Sequence, residues 1–195
     1  MDIIVKDIKF CDFDESKFVK PYKISYDING KKSFWDCVKV YDSVCALIYH
    51  ITKDAFLFVK QFRPSLWSWQ KQNGKKPDGF SFELCAGIKD KGISDKQTII
   101  EEIYEETGYS VNEICYINSF FSGLGFATNK QSLFYTQIDE TMKKSVGGGV
   151  DGEFINLVFV PRKDVLDFIN DEKNAISANT FFAFYWFDKN IKGLK

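Results

Sequence analysis

The sequence holds a single histidine, His50, in 195 residues. Its five cysteines (Cys11, Cys37, Cys45, Cys85, Cys115) are odd in number, widely spaced and form no CxxC pair. A Cys/His zinc site is thereby left almost without ligands. No disulfide framework is indicated, and reduced thiols and a cytoplasmic location are expected. A Ser–His–Asp or Cys–His mechanism would have to use His50, which lies in a strand-like apolar run, residues 45–51. Nothing near it in sequence supports that role, so a structural histidine is expected. Net charge is also nearly absent: 26 basic against 27 acidic residues leave −1. No basic field draws the chain to nucleic acid or to anionic lipid. No apolar run approaches the roughly 18–20 residues that a membrane span needs. Residues 1–10 carry Asp2, Lys6, Asp7 and Lys9, unlike the apolar centre of a signal peptide.

What the chain does have is apolar bulk. Hydrophobic residues make up 45% and aromatics 17%, including 20 Phe. A sizeable core is affordable, with aromatics left over for stacking surfaces. The alternation over residues 23–28, the Asn29-Gly30 pair and residues 33–40 read as a hairpin. A second hairpin is expected over residues 43–49 and 55–61. Residues 68–79, polar with Gly74, Pro77 and Gly79, read as a surface loop. Strands are expected at 80–85, 113–119, 131–138 and 153–160. Ser94 or Asp95 caps a helix running to about Thr107, with Gly108 at its C′ position. Helical segments follow near 163–170 and 178–187, and residues 145–152 read as a flexible glycine-rich loop. The order indicates a mixed α/β (α+β) sheet domain rather than regular βαβ alternation.

The chemistry concentrates in residues 97–109, QTIIEEIYEETGY, where Glu101, Glu102, Glu105 and Glu106 fill four of six consecutive positions. On a helix Glu102 faces Glu105 and Glu106, and Glu101 stacks on Glu105, each like-charge pair costing about 0.2–0.5 kcal/mol. The helix dipole further disfavours negative charge in these last turns. Carboxylates gathered on one face without basic partners suit a hard cation, Mg²⁺ or Mn²⁺. A solvated acidic face is the competing reading. The preceding strand end and glycine, Glu83-Leu84-Cys85-Ala86-Gly87, form a strand–loop–helix unit that aims backbone carbonyls and helix carboxylates at one point.

Residues 87–109 resemble the 23-residue signature of the Nudix hydrolases, G-x5-E-x7-R-E-U-x-E-E-x-G-U, where U is apolar. Gly87 is the first glycine; Glu102, Glu105, Glu106 and Gly108 match, and Ile103 and Tyr109 fill apolar slots. Ile93 stands where the pattern has its first Glu, and Glu101 where it has Arg, two side chains that commonly pair in the family. Further segments (Lys60 with Gln61, Phe62, Arg63 and Pro64; residues 83–87; residues 120–136; the Asp151-Gly152-Glu153 that follows three glycines) resemble the nucleoside-diphosphate-sugar branch, in the spelling of its UDP-sugar pyrophosphatases. The resemblance spans about residues 20–187. It implies a Nudix fold, a mixed β-sheet sandwiched between helices, in a domain over residues 43–195. An N-terminal β-hairpin extension, residues 1–42, is expected to exchange across a homodimer.

The activity implied is Mg²⁺-dependent hydrolysis of a nucleotide sugar, UDP-glucose giving UMP and glucose 1-phosphate. An ADP-ribose or ADP-sugar pyrophosphatase, or a catalytically silent domain that binds a nucleotide sugar, is the alternative. By resemblance the metal is held by Glu102, Glu106, Glu105 and the Ala86 carbonyl. Glu153 serves as general base or further ligand on a loop whose glycines let it close over substrate. Arg63 is assigned to phosphate, Glu83 to substrate or to orienting Arg63, and Trp35 to stacking on the nucleobase. Residues 123–129 are expected to line the sugar or uracil pocket.

Overall fold

The computed structural model describes residues 3–150 and 152–191; Asp151, in the Asp-Gly-Glu segment, lies outside them. The hairpin β1 (Lys20–Ile28) and β2 (Lys31–Lys39) forms a two-stranded sheet of its own. Its turn is Asn29-Gly30, both with positive φ (54° and 75°), which is the type I′ geometry whose twist matches the flanking strands. The hairpin meets the rest of the chain through residues 123–128, where Val38 N donates to the Phe126 carbonyl at 2.8 Å.

The remaining strands build a mixed eight-stranded sheet. At its centre lie β3 (Ser43–His50) and β4 (Ala55–Phe62), whose apolar runs are covered on both faces as a central strand requires. They pair only between residues 48–50 and 55–57 and then diverge. The outer edge of β3 is taken by β8 (Asn129–Ile138), in parallel, and β8 carries β7 (Cys115–Ser122). The outer edge of β4 is taken by β9 (Ile155–Pro161). Into the fork between β3 and β4 runs the segment of residues 80–88. Its first half, β5 (Phe80–Glu83), pairs with β4; its second, β6 (Cys85–Ile88), pairs with β3. A two-residue strand, β10 (Ala175–Ile176), adds to β5 in parallel.

Helices cover both faces. On one side α2 (Asp95–Glu102) buries Ile99, followed by Ile103, against Val44, Ala46, Ile48 and Cys85. On the other, α3 (Val165–Asn170) and α4 (Ala178–Asn190) pack on Cys45, Leu47, Phe58 and Leu84. The two-faced division follows from the strand period of two: successive residues Leu84 and Cys85 enter opposite cores. His50 is fully buried, with Nε2 at 3.2 Å from Glu140 Oε1 and Nδ1 accepting from Lys53 N at 3.3 Å, a structural role.

Two expectations are corrected. Residues 68–79 are not wholly a loop, because α1 (Pro64–Gln72) runs through their start. Pro64 at the first helical position presets φ, and the Gln70 side chain fastens the helix to the following turn by accepting from Gly79 N at 2.8 Å. The helix buries no residue, so no apolar stripe announced it. The helix expected to reach Thr107 is α-helical only to Glu102; residues Ile103–Thr107 form a π turn, ended by Gly108 in the left-handed conformation.

Much of the Phe excess is core. Phe56 has ring centroids at 4.7 Å from Phe184, 4.9 Å from Phe187 and 5.2 Å from Tyr49. Phe56→Ala is expected to lower stability by about 3–5 kcal/mol, read as a fall in the urea midpoint at unchanged m value.

Candidate functional site

The site forms where the π turn abuts the fork. Glu106 is only 3% exposed. Its Oε2 accepts the Ala86 backbone N–H at 3.2 Å, and it also takes a hydrogen bond from the Cys85 thiol. A strand residue sends its N–H and C=O to the same edge, so the Ala86 carbonyl opens on the Glu106 side. Glu102 lies against Gly87 so closely that a Cβ there would come within 2.1 Å of the Glu102 Cδ. That close approach is the physical reason for glycine at this position.

The carboxylates repel one another. Burial, reinforced by Glu105 and Glu153, pushes the Glu102 carboxyl up to about 7. Burial, with the charges of Glu102 and Glu153 and against the hydrogen bonds from Cys85 and Ala86, pushes Glu106 up to about 8. Arg63 crosses from the other side of the fork, its Nε and Nη2 each donating to a Glu83 oxygen at 2.8 Å. Burial works to raise the Glu83 carboxyl, but Arg63 and Ser81 hold it below its ordinary value. Arg63 also feels the charges of Glu106 and Glu153, so it stands between Glu83 and the acidic cluster with its remaining N–H groups uncommitted to Glu83.

Basic partners were not expected in the helix cluster, and one is there. Lys91 Nζ lies 3.3 Å from Glu101 Oε2 and 3.5 Å from Glu105 Oε1, and Gln97 Nε2 donates to Glu101 at 3.1 Å. The tie between loop and helix that Ile93 and Glu101 forgo is therefore rebuilt with reversed polarity from two residues earlier. Glu101 is engaged by Lys91 and Gln97.

The glycine-rich loop runs beside the π turn. All three glycines have positive φ, and Gly148 N donates to the Glu106 carbonyl at 2.7 Å and Gly149 N to the Glu105 carbonyl at 3.2 Å. A Cβ on Gly147, whose φ is +68°, would come within 2.5 Å of the Glu106 carbonyl oxygen. These N–H groups satisfy carbonyls that a helix end leaves orphaned. The loop then turns to present Glu153, whose own N–H donates to the Val150 carbonyl at 3.0 Å.

Ala86 is thus joined to Glu106 and Arg63 to Glu83, while Glu102, Glu105 and Glu153 stand near enough for their charges to bear on the same carboxyls. Trp35 does not join their contacts within the single chain. It stands on β2, half-exposed, with Nε1–H donating to the Gly125 carbonyl at 2.7 Å. Residues 123–128 hold the hairpin in this way. The cavity beside Glu83 and Ala86, about 450 Å³, is bordered instead by residues of β7, β8 and the start of α4. Sequence reasoning missed Lys91, Cys85 and these cavity residues. The only available signal was strand alternation, which turns Cys85 toward the helix when Ala86 turns away.

Among the described residues, no three Asp, Glu, His or Cys side chains already stand at coordinating positions around one point. The donor set still fits a hard divalent cation. It offers carboxylates and a backbone carbonyl, the ligands such ions prefer, in a place where burial and mutual repulsion disfavour the ionised carboxylates. The space left by the missing Gly87 side chain seats Glu102 against the backbone that supplies that carbonyl.

Comparison with known proteins places this arrangement. No family model matches the chain. The GDP-mannose pyrophosphatase of Cronobacter sakazakii is 31% identical over 174 residues, covering 86% of each chain. The chain belongs to the Nudix hydrolases, in their nucleotide-sugar pyrophosphatase branch. The uridine diphosphate glucose pyrophosphatases of Bos taurus and Mus musculus are 27% and 26% identical, over 88% and 90% of this chain and 89% and 90% of those proteins.

Two outcomes follow for this Nudix site. Glu102 and Glu106 have folded-state values raised above the unfolded carboxyl near ~4.3, so the folded protein holds more protons than the unfolded chain between about that pH and 8. Without metal, their contribution makes stability fall as pH rises from 5 to 8. Melting temperatures measured in chelator should show this slope, and Glu106→Gln should flatten it. Gly87→Ala displaces the Glu102 carboxylate and should lower turnover about 100-fold while leaving the far-ultraviolet circular dichroism spectrum unchanged.

Proposed function

We propose that this Nudix hydrolase cleaves the diphosphate of a nucleotide sugar with Mg²⁺, or Mn²⁺, and that UDP-glucose, giving UMP and glucose 1-phosphate, is its substrate. The observation that carries the reading is the packing of the Glu102 and Glu106 carboxyls against the Ala86–Gly87 backbone. The names of the Bos taurus and Mus musculus relatives support the UDP-glucose assignment. GDP-mannose is the second reading, favoured by the higher identity of the Cronobacter protein.

In this proposal Glu102, Glu106, Glu105 and the Ala86 carbonyl hold the cation. Bound there, a divalent ion neutralises diphosphate charge and lowers the pKa of a water. Glu153 takes the proton from the attacking water, with Glu105 assisting. Water adds to one phosphorus as the bridging P–O bond breaks, and the leaving phosphate keeps the bridging oxygen. Arg63, its fork oriented by Glu83, offers its other N–H groups to phosphate oxygens. Trp35 stacks on the nucleobase, and we place it in the site of a second subunit. The hairpin supports that arrangement: Tyr22, Ile24, Ile28, Phe34 and Trp35 are exposed, and a lone two-stranded sheet is marginal in water. We take residues 1–42 as this dimerising extension and 43–195 as the hydrolase domain. The five free thiols suit the cytoplasm, and no helix among the described residues is long and apolar enough to cross a membrane.

The decisive experiment incubates the protein with UDP-glucose, GDP-mannose and ADP-ribose in parallel, with and without Mg²⁺, and separates the products. UMP with glucose 1-phosphate, fastest and only with Mg²⁺, is expected. Faster GMP or AMP release reassigns the base, and no cleavage by folded protein makes the domain silent. Glu153→Gln should slow the preferred reaction on the order of 10²–10⁴-fold with Mg²⁺-dependent substrate binding retained. A wild-type rate would remove Glu153 from the chemistry.

A further inference from the structure

The cavity beside Ala86 is about 450 Å³, within the usual range for small-molecule sites. Glu83 and Ala86 form one border, so whatever occupies it lies next to the acidic cluster. Among the described residues no lysine or arginine lines it, so its interior offers no cationic side chain to a phosphate. Two aromatic rings do, Phe120 and Phe182, with centroids 5.9 Å apart at an interplanar angle of 65°. Rings set edge to face leave no parallel slot to sandwich a planar base, but they offer apolar surface to the C–H face of a puckered ring. Polar groups approach from other directions. Gln131 and Asn179 are joined, Asn179 Nδ2 donating to Gln131 Oε1 at 2.8 Å, and Gln131 Nε2 donates to Ser43 Oγ at 3.0 Å. Asn179 is fully engaged, since its Oδ1 accepts from Ser177 Oγ and its Nδ2 also reaches Cys45 Sγ at 3.8 Å, so the network fixes Gln131 and leaves it one amide hydrogen for a ligand. Asn118 adds a third amide to the lining.

We infer that this cavity between β7, β8 and the start of α4 receives the glycosyl arm of the substrate, with Gln131, held in place by Asn179, as its specificity-determining residue. The inference rests on the nucleotide-sugar reading above. A neutral, hydroxyl-rich, non-planar group with one apolar face matches a fixed amide and crossed Phe rings. The cavity's border on Ala86 puts the hexose carbon that bears phosphate next to the diphosphate position.

The test measures binding of glucose 1-phosphate and, separately, of UMP to the full chain in Mg²⁺, by calorimetry or saturation-transfer NMR. Wild type is compared with Gln131→Leu and with Phe182→Ala. Phe182 is 36% exposed, so its truncation spares the core and serves if Gln131→Leu folds poorly. Glucose 1-phosphate should weaken about 10-fold in each variant, the loss expected for one hydrogen bond or ring contact, while UMP binding holds. Weakened UMP with unchanged glucose 1-phosphate overturns the inference, as does absence of glucose 1-phosphate binding by folded wild-type protein at millimolar concentration. Failure to cleave any nucleotide sugar, with the selective loss still observed, would sink the hydrolase reading and leave the subsite standing.

Discussion

The structure turns on one carboxylate placed where a carboxylate is least welcome. Glu106 is nearly removed from water, at 3% exposure, and is held by a backbone N–H and a thiol rather than by a cation side chain. Burying an unpaired charge is costly, and a protein normally escapes by shifting the group toward its neutral form. Here the shift is large, because Glu102 and Glu153 add their own charges. The surrounding fold therefore has to hold the π turn against the strand fork despite this repulsion. Apolar packing supplies the hold: Ile99, Ile103 and Tyr109 are buried against the sheet on either side of the acidic residues. The metal-free chain carries this repulsion, which the proposed divalent cation would relieve.

The backbone around that carboxylate is fixed at both ends by the absence of side chains. At Gly87 the missing Cβ admits Glu102. At Gly147 it admits the π turn itself, so that Gly148 and Gly149 donate to the last carbonyls. Lys143 contributes its ammonium to the Thr107 carbonyl, placing a positive charge where the helix dipole is negative. The π turn changes the direction of Glu105 and Glu106 relative to a regular helix, a device often found at functional sites. Glu105 faces Lys91 at the surface while Glu106 goes inward.

How much of this was legible follows from which signals are local. The strands β3 and β4 announced themselves as apolar runs, the I′ turn through Asn29-Gly30, and the start of α2 through Ser94, whose side chain accepts from Gln97 N at 3.2 Å. The expected mixed sheet between helices, with its N-terminal hairpin, is the architecture present. The meeting of Ala86 and Gly87 with Glu106 and Glu102 was readable through the resemblance to the Nudix signature, which spans that strand end and the helix carboxylates. What stayed hidden depended on contacts across the chain. A helix with no buried residue, α1, leaves no periodicity to detect. Lys91 reads as an ordinary loop lysine until the loop folds onto Glu101 and Glu105. Three glycines in a row look like flexibility from sequence, and nothing local foretells that Gly147 passes against the π-turn backbone.

The aromatic residues divide the molecule's labour. Phe56, Phe58, Phe184 and Phe187 interlock between the sheet and α4 and hold the fork's far side rigid. Phe120 and Phe182 belong to the same helix–sheet layer but at its open end, where α4 begins and β7 ends. The layer that anchors the core therefore continues, without a change of element, into a wall of the cavity beside Ala86. Helix and strand thus set that wall, and in the proposed reading a substrate spanning cavity and acidic cluster meets a wall continuous with the core. Such preorganisation lets binding on one side of a scissile bond position the bond itself.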